Sequence, residues 1–360
     1  MNIKTRHILL TALIAAVAAS CRQPEVVPTE DLKFEHGIFV LNEGNMGSNK
    51  ASIDFYDPKQ DTLYRNIYPT VNPTVVKELG DVGNDIQIYG GKLYAVINVS
   101  GKVEVMDLNA RRIGQVDIPN CRSICFEDGY AYVSSYAGPI DYGNPDYKQR
   151  GYVAKVDTAT LTVEDTCLVG FQPNGICSDG RYLYVANSGG YMAPKYDSTL
   201  SVIALESFKE EKKITVAINL DAVAYDPERK TVFVSSLGDY GTHPAELYSV
   251  RTETAEVKPM GFAVSKMQIA DGKLYYYGGE FGSKAEVGFY DLKKGEKHVV
   301  ELSNADQLTT VYGIFVTDGD WYLTDARDYV TPGVLYRYDG NGRLKSKHRT
   351  GDIPGHMCVK

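Results

Sequence analysis

Residues that mark catalytic and metal sites are scarce in this sequence of 360 residues, which has six His, six Cys and one Trp. No two His have the spacing of an HExxH metal site, and no Cys pair has the spacing of a zinc site. The G-x-S-x-G turn of Ser hydrolases is absent as well. These absences disfavour a hydrolase, so we expect a protein without enzyme activity, catalytic cofactor or metal.

Clustered positive charge is also lacking. The chain has 38 Lys and Arg against 46 Asp and Glu, a formal net charge of −8. Residues 1–20 contain Lys4 and Arg6 but no acid, so their removal would make the charge −10. Nucleic-acid phosphates attract clustered cations, and this acidic chain offers none. We therefore expect no nucleic-acid partner, and no charge-driven binding to anionic lipids.

The N-terminal segment reads as a signal peptide over residues 1–20. Its apolar run, Ile8 to Ala19, is too short for a permanent membrane span. The sequence Ala18-Ala19-Ser20-Cys21 resembles a bacterial lipobox, which implies lipidation of Cys21 and an anchor in a membrane. Residues 21–34 are polar, contain proline and are typical of a flexible tether. The alternative is an ordinary signal peptide followed by a chance Cys.

A five-residue pattern recurs along the rest of the chain, always with Phe or Tyr second. Its seven copies are 38–42, 93–97, 131–135, 183–187, 232–236, 274–278 and 321–325. Most copies follow a Gly or Asp-Gly turn, and alternating runs that end in Asp follow them. Four short strands per repeat predict an all-β, seven-bladed β-propeller over residues 35–360, with four antiparallel strands per blade. Helical stripes with caps are absent.

The first pentad has no inner strand in front of it. The C-terminal segment that contains Cys358 echoes the segment that contains Cys177, so we expect residues 356–359 to close the ring as the inner strand of the first blade. Cys125 falls at the same repeat position, and we interpret all three Cys as packing groups. A disulfide that involves Cys121 or Cys167 stays open.

The loops after the pentads are rich in Tyr, Gly, Asn and Ser, the composition of a binding surface. In an up-and-down blade these loops share one end of the ring. Mere loop filling is the alternative, and the Tyr inside the pentads indicate blade packing only. The residues that we expect to contact a ligand are Asn42, Asn45, Met46, Tyr136, Tyr142, Asn187, Tyr191, Tyr196, Tyr240, His243, Phe281, Asp325, Arg327 and Tyr329.

The pentads, the turn Tyr56-Asp57-Pro58, the turn Val156-Asp157-Thr158 and the lipobox together resemble the YncE-like seven-bladed propellers of bacterial envelopes. The opening segment 39–49 is similar to that of BtuG-type surface lipoproteins of gut bacteria. This resemblance implies an outer-membrane, lipid-anchored protein exposed at the cell surface. It implies that the protein binds cobalamin (vitamin B12) or a related corrinoid and delivers it to a TonB-dependent transporter.

Two other functions fit the same pattern. The rim could bind a glycan or another envelope protein. A lactonase-like propeller hydrolase is the third possibility, with Asn42, Asn187 and Asp325 at strand ends in the central funnel. The pair Asp325 and Asp328 could do acid/base work, and solvated loop carboxylates are the alternative interpretation of this pair.

Overall fold

The computed structural model describes residues 33–75, 78–142, 144, 146–279 and 284–360. It contains seven four-stranded antiparallel sheets arranged as a β-propeller, which confirms the predicted fold class. Neighbouring inner strands contact each other around the whole ring, so they enclose a central channel.

The strands are numbered in chain order, and each blade runs from an inner strand at the channel to an outer strand at the surface. The inner strands of blades 1 to 7 are Pro354–Val359 (β28), Gly83–Tyr89 (β4), Cys121–Glu127 (β8), Pro173–Ser178 (β12), Leu220–Asp226 (β16), Lys266–Ala270 (β20) and Val311–Thr317 (β24). The second strands are Ile38–Asn42 (β1), Lys92–Ile97 (β5), Tyr130–Ser135 (β9), Tyr182–Asn187 (β13), Thr231–Ser236 (β17), Lys273–Gly278 (β21) and Asp320–Asp325 (β25). The third strands are Ser52–Asp57 (β2), Lys102–Asp107 (β6), Tyr152–Asp157 (β10), Thr199–Ala204 (β14), Glu246–Arg251 (β18), Glu286–Asp291 (β22) and Val334–Tyr338 (β26). The outer strands are Thr62–Tyr64 (β3), Arg112–Asp117 (β7), Thr162–Leu168 (β11), Lys209–Thr215 (β15), Val257–Pro259 (β19), Glu296–Val299 (β23) and Leu344–Arg349 (β27).

All seven pentads lie in second strands, which are almost wholly buried between neighbouring sheets. The aromatic residue at the second pentad position is buried in every blade, as Phe39 and Tyr94 illustrate. Three Cys of inner strands each lie opposite this aromatic residue of the adjacent second strand: Cys358, Cys125 and Cys177. The three Cys therefore occupy equivalent positions, as expected.

The five Cys among the described residues are all free, and Cys121 and Cys167 are buried without a disulfide. Burial raises the pKa of the Cys121 thiol to about 12, so this thiol is kept protonated.

The C-terminal strand closes the ring, as predicted. β28 pairs antiparallel with β1, so that Val359 lies opposite Ile38 and His356 lies opposite Leu41. The first and last parts of the chain thus share one sheet, and blade 1 cannot form without both.

One short helix was not foreseen from the sequence. It spans Ile67–Val71 (α1) and links β3 to β4. Five residues are too few to show an amphipathic stripe, and burial of Ile67, Tyr68 and Val71 holds this turn in place. No helix in the described part of the chain is long and apolar enough to cross a membrane.

The predicted signal peptide, Cys21 and nearly all of the predicted tether lie outside the described residues. Phe34, which the sequence interpretation placed in the tether, is 4% exposed and its ring lies 4.3 Å from that of Phe55. The packed part of the chain therefore begins no later than Phe34.

Candidate functional site

One end of the ring gathers the loops that the sequence singles out. In blade 3 the start of the inner strand, Cys121, is paired with the end of the second strand, Ser135. The same antiparallel pattern holds in each blade, so the loops after the second strands and the links between blades open on one side. We call this side the loop end.

Four predicted tyrosines are exposed at the loop end and form what we call the rim: Tyr142 (64% exposed), Tyr191 (37%), Tyr240 (55%) and Tyr329 (45%). Tyr142 and Tyr191 meet edge to face with ring centroids 5.1 Å apart. Tyr329 packs in the same manner on Tyr312, at 5.8 Å. The rim therefore presents aromatic rings that are partly fixed against other rings.

Two rim tyrosines have strained backbones. Tyr240 and Tyr329 have φ values of 59° and 61°, in the left-handed region that bulky residues rarely adopt. Such conformations cost on the order of 1–3 kcal/mol and occur frequently at ligand-binding sites. The loops thus hold these rings in position at a cost in stability.

Other predicted contact residues accompany the rim. Asn45 donates to the backbone carbonyl of Tyr329, and Met46 is 69% exposed. The imidazole of His243 lies 2.7 Å from the carboxylate of Asp239, and His243 faces solvent.

Arg327 is exposed beside the rim, and Tyr196 is half-buried close enough to Tyr240 to affect its pKa. Predicted residue Phe281 lies outside the described residues.

A cavity of about 480 Å³ lies between blades 5, 6 and 7 at the loop end. Tyr240, His243, Tyr277 and Tyr329 are among its lining residues. Its volume is that of a small-molecule site.

Three predicted contact residues lie beneath this surface. Asn42, Asn187 and Asp325 end their second strands and are fully buried. The Asn187 amide donates to Ser201 and accepts from the backbone of Gly170, and Asp325 accepts three backbone N–H groups. These side chains stabilise the blades and their connections and do not reach a surface on which a ligand could rest.

Tyr136 is only 2% exposed. Its hydroxyl donates to Asn174, and the guanidinium of Arg122 lies 5.0 Å from its ring centroid. Tyr136 therefore supports Arg122 from below and is not part of the exposed rim.

Beneath the rim, polar side chains from the starts of the inner strands and from one loop surround the channel entrance. We call this set the channel mouth, and its members are Glu43, Asn84, Asp85, Arg122, Asn174, Asp221, Lys266, Tyr312 and His356. All nine are half-buried, because they face the channel yet are surrounded by protein.

Side-chain hydrogen bonds join the channel mouth across four consecutive blades. With the Asn84 amide oriented so that its oxygen faces Arg122, this oxygen accepts from the guanidinium at 3.1 Å and 3.3 Å. Nε of Arg122 donates to Oδ1 of Asn174 at 3.1 Å. Nδ2 of Asn174 donates to Oδ1 of Asp221 at 3.0 Å. These side-chain hydrogen bonds link the inner strands of blades 2 to 5 at the channel mouth.

A second group of contacts covers blades 6, 7 and 1. Nζ of Lys266 lies 2.6 Å from Nε2 of His356, and the Tyr312 hydroxyl donates to Oε2 of Glu43 at 3.0 Å. Lys266 also lies over the Tyr312 ring, 5.6 Å from its centroid.

Enclosure shifts the pKa values of three acids and two bases of the channel mouth toward their neutral forms, whereas the pKa of Arg122 is raised. Burial raises the pKa of Asp85 to about 6 and raises the pKa values of Glu43 and Asp221. Burial likewise lowers the pKa of Lys266 and of His356. Desolvation thus outweighs the attraction between these opposite charges.

The described residues contain no group of three or more His, Cys, Asp or Glu arranged to hold a metal ion. The acid pair Asp325 and Asp328 is divided between a buried and an exposed position, and both carboxylates accept backbone N–H groups. The arrangement at the loop end is one of hydrogen-bonding groups, aromatic faces and separated charges.

The sequence of the first blades matches a family of unassigned role, described as "Domain of unknown function (DUF5074)". The match spans residues 36–214. The match begins just before β1 and ends within β15, so it covers the first four blades apart from β28. No curated protein matches the sequence.

Solved structures resemble the protein in fold. The chain is 13% identical to a hypothetical selenium-binding protein from Sulfolobus tokodaii, with a TM-score of 0.67, 94% of this chain covered and 97% of that one. It is 14% identical to hydrazine synthase of Kuenenia stuttgartiensis, with a TM-score of 0.60, 76% of this chain covered and 88% of that one. It is 11% identical to the computationally designed Ika8 protein, with a TM-score of 0.57, 93% of this chain covered and 94% of that one. At these identities the likeness concerns the fold alone.

The channel mouth draws on both halves of the chain. The segment that matches the DUF5074 family contains Glu43 and Arg122 among others, whereas Asp221, Lys266 and Tyr312 lie beyond it. Sequence reasoning missed these residues. A sequence pattern could have indicated them. When the inner strands are aligned by the repeat, most of them have a polar residue at their second position.

Proposed function

We propose that this protein is a surface binding protein that captures a corrinoid such as cobalamin at the loop end, without chemistry. The observation that supports the proposal is the gathering of Tyr142, Tyr191, Tyr240 and Tyr329 at one end of the ring, from four different blades. Exposed rings of this kind are costly in a protein without a partner.

The rim matches a large ligand with flat apolar faces and a polar edge. Tyr has few rotamers to lose on binding, so its ring offers contact area at low entropic cost. The edge-to-face pair of Tyr142 and Tyr191 reduces that cost further, because each ring restrains the other. A corrin ring has apolar faces that could rest on these tyrosines.

The amide fringe of a corrinoid would meet the polar groups around the rim. Asn45, His243 and Arg327 supply donors and acceptors there. Capture of a scarce nutrient needs many such preorganised contacts.

The remaining parts of the proposal come from the sequence resemblance. Lipidation of Cys21 would anchor the protein in the outer membrane at the cell surface. A TonB-dependent transporter would then receive the corrinoid, and the tether would let the propeller approach it.

Equilibrium titration of the purified propeller with cyanocobalamin tests the proposal. We expect a dissociation constant of about 1 μM or tighter with one ligand per chain. Weaker binding would refute the corrinoid proposal. Strong signals on a glycan array beside a silent corrinoid titration would favour the glycan alternative.

A further inference from the structure

The charged groups of the channel mouth make hydrogen bonds mainly to neutral partners. Arg122 is held by the amides of Asn84 and Asn174, and Lys266 is held by His356 and a backbone carbonyl. The Asn174 amide stands between Arg122 and Asp221, because it accepts from the guanidinium and donates to the carboxylate.

The carboxylates Glu43 and Asp221 also make their side-chain hydrogen bonds to neutral partners. Glu43 accepts from the hydroxyl of Tyr312, and Asp221 accepts from the amide of Asn174. Each carboxylate has about four lone-pair positions, so both retain acceptor capacity. Neutral side chains thus keep positive and negative groups apart at the entrance of one channel.

Separated charges in an enclosed site are expensive. Removal of a charge from water costs several kcal/mol unless a partner of opposite charge compensates, and direct pairing would have been the simplest compensation. The two cations are instead fixed against rings, Arg122 over Tyr136 and Lys266 over Tyr312. This rigidity is typical of a preorganised site.

The space available is suited to a small ligand. Lys266, together with Asp85 and His356, lines a cavity of about 440 Å³ inside the channel, whereas Arg122, Asp221 and Glu43 are not among its lining residues. The positive charge of Lys266 acts on Glu43 and Asp221, so these groups lie near the cavity. Arg122 is linked to Asp221 through Asn174, so a cation and an acid face the same entrance.

We propose that the channel mouth binds a small zwitterion of the α-amino acid or short-peptide class. Arg122 and Lys266 receive the ligand's carboxylate, and Asp221 and Glu43 receive its ammonium group. A ligand that carries both charges neutralises both sets at once, which a purely anionic or purely cationic ligand does not. This site is separate from the proposed corrinoid surface and does not depend on it.

Isothermal titration with L-alanine, L-glutamate, L-arginine and the dipeptide Ala-Ala tests the proposal. We expect at least one of them to bind with a dissociation constant of about 1 mM or tighter. N-acetyl-L-alanine keeps only the negative charge and L-alaninamide keeps only the positive charge. We expect both to bind at least about tenfold more weakly than L-alanine. Failure of all four zwitterions, or equal binding of either capped compound, would overturn the proposal.

Two variants locate the site. Arg122→Gln and Asp221→Asn should each weaken the best zwitterion about tenfold or more. Lys209→Gln, at an exposed position of the outer strand β15, should leave the affinity unchanged. Asp221→Asn preserves the acceptor for Asn174, so it should fold even where Arg122→Gln does not, and its melting temperature checks this. A folded Asp221→Asn protein with wild-type affinity would exclude the site. A failed corrinoid titration would leave this outcome untouched.

Discussion

Lys266 and His356 face each other across the channel mouth, with Nζ of Lys266 2.6 Å from Nε2 of His356. An ammonium group only donates, so the imidazole must accept and must be neutral. Burial lowers the pKa of His356 well below its ordinary value, and the positive charges of Lys266 and Arg122 act in the same direction. Asp85, 3.8 Å from Nδ1, does not reverse this shift.

The neutral state of His356 predicts a loss of stability in acid. The unfolded chain takes up a proton near the ordinary His pKa, whereas the folded chain does not, so this contribution is lost as pH falls below about 6.5. We expect the stability of His356→Gln relative to wild type to rise as pH falls from 7.5 to 5. Melting temperatures across this range measure it. A relative stability of His356→Gln that stays constant over this range would contradict the prediction.

The raised pKa of Asp85 predicts that stability changes with pH in the opposite direction. Its folded pKa is raised to about 6, so its contribution to stability is complete below the unfolded pKa and is lost as pH rises through about 6. The stability of Asp85→Asn relative to wild type should therefore increase from pH 4.5 to 7.5, by about 2 kcal/mol. Denaturant titrations at both pH values test this. A relative stability that stays constant would show that Asp85 ionises normally in the folded protein.

Ring closure makes β28 a sensitive strand. Met357 lies opposite Val40 and packs in a cluster that includes Tyr56 and Tyr322. Met357→Asp would place a charge in this cluster, and we expect a fall in melting temperature of about 5–10 °C. Leu168→Asp makes the same kind of change in an exposed outer strand and should alter the melting temperature little. Equal effects of the two substitutions would mean that closure contributes little to stability.

The sequence was sufficient for the fold because the repeat is strong. Each pentad places an aromatic residue between sheets, and Cys125, Cys177 and Cys358 mark one position of the inner strand, so the repeat alone predicts the closing strand. Helix α1 and the packing of Phe34 were not predictable, because each depends on a few contacts with blade 1 and on no periodic pattern.

The candidate site was only partly predictable. The rim tyrosines lie in loops rich in Tyr, Gly, Asn and Ser, so the composition of these loops was enough to predict them. Asn187 also lies where a strand meets its loop, but its burial depends on contacts with Ser201 and Gly170 that no sequence pattern indicates. Arg122 and Lys266 come from blades far apart in sequence, and their proximity to the same acids follows only once the ring is closed.

The rim makes a prediction about affinity that separates binding from stability. Tyr191 is exposed and contacts Tyr142, so Tyr191→Ala removes one aromatic face and leaves the other ring less restrained. We expect the affinity for cyanocobalamin to fall about tenfold or more, which corresponds to about 1.4 kcal/mol, with little change in melting temperature. Tyr130→Ala is the matched control, since Tyr130 begins β9 at the opposite end of the ring and lies under Lys155. This variant should bind as wild type does even where its melting temperature is lower. Equal losses of affinity in both variants would show that the ligand does not rest on the rim, because only Tyr191 stands at the loop end.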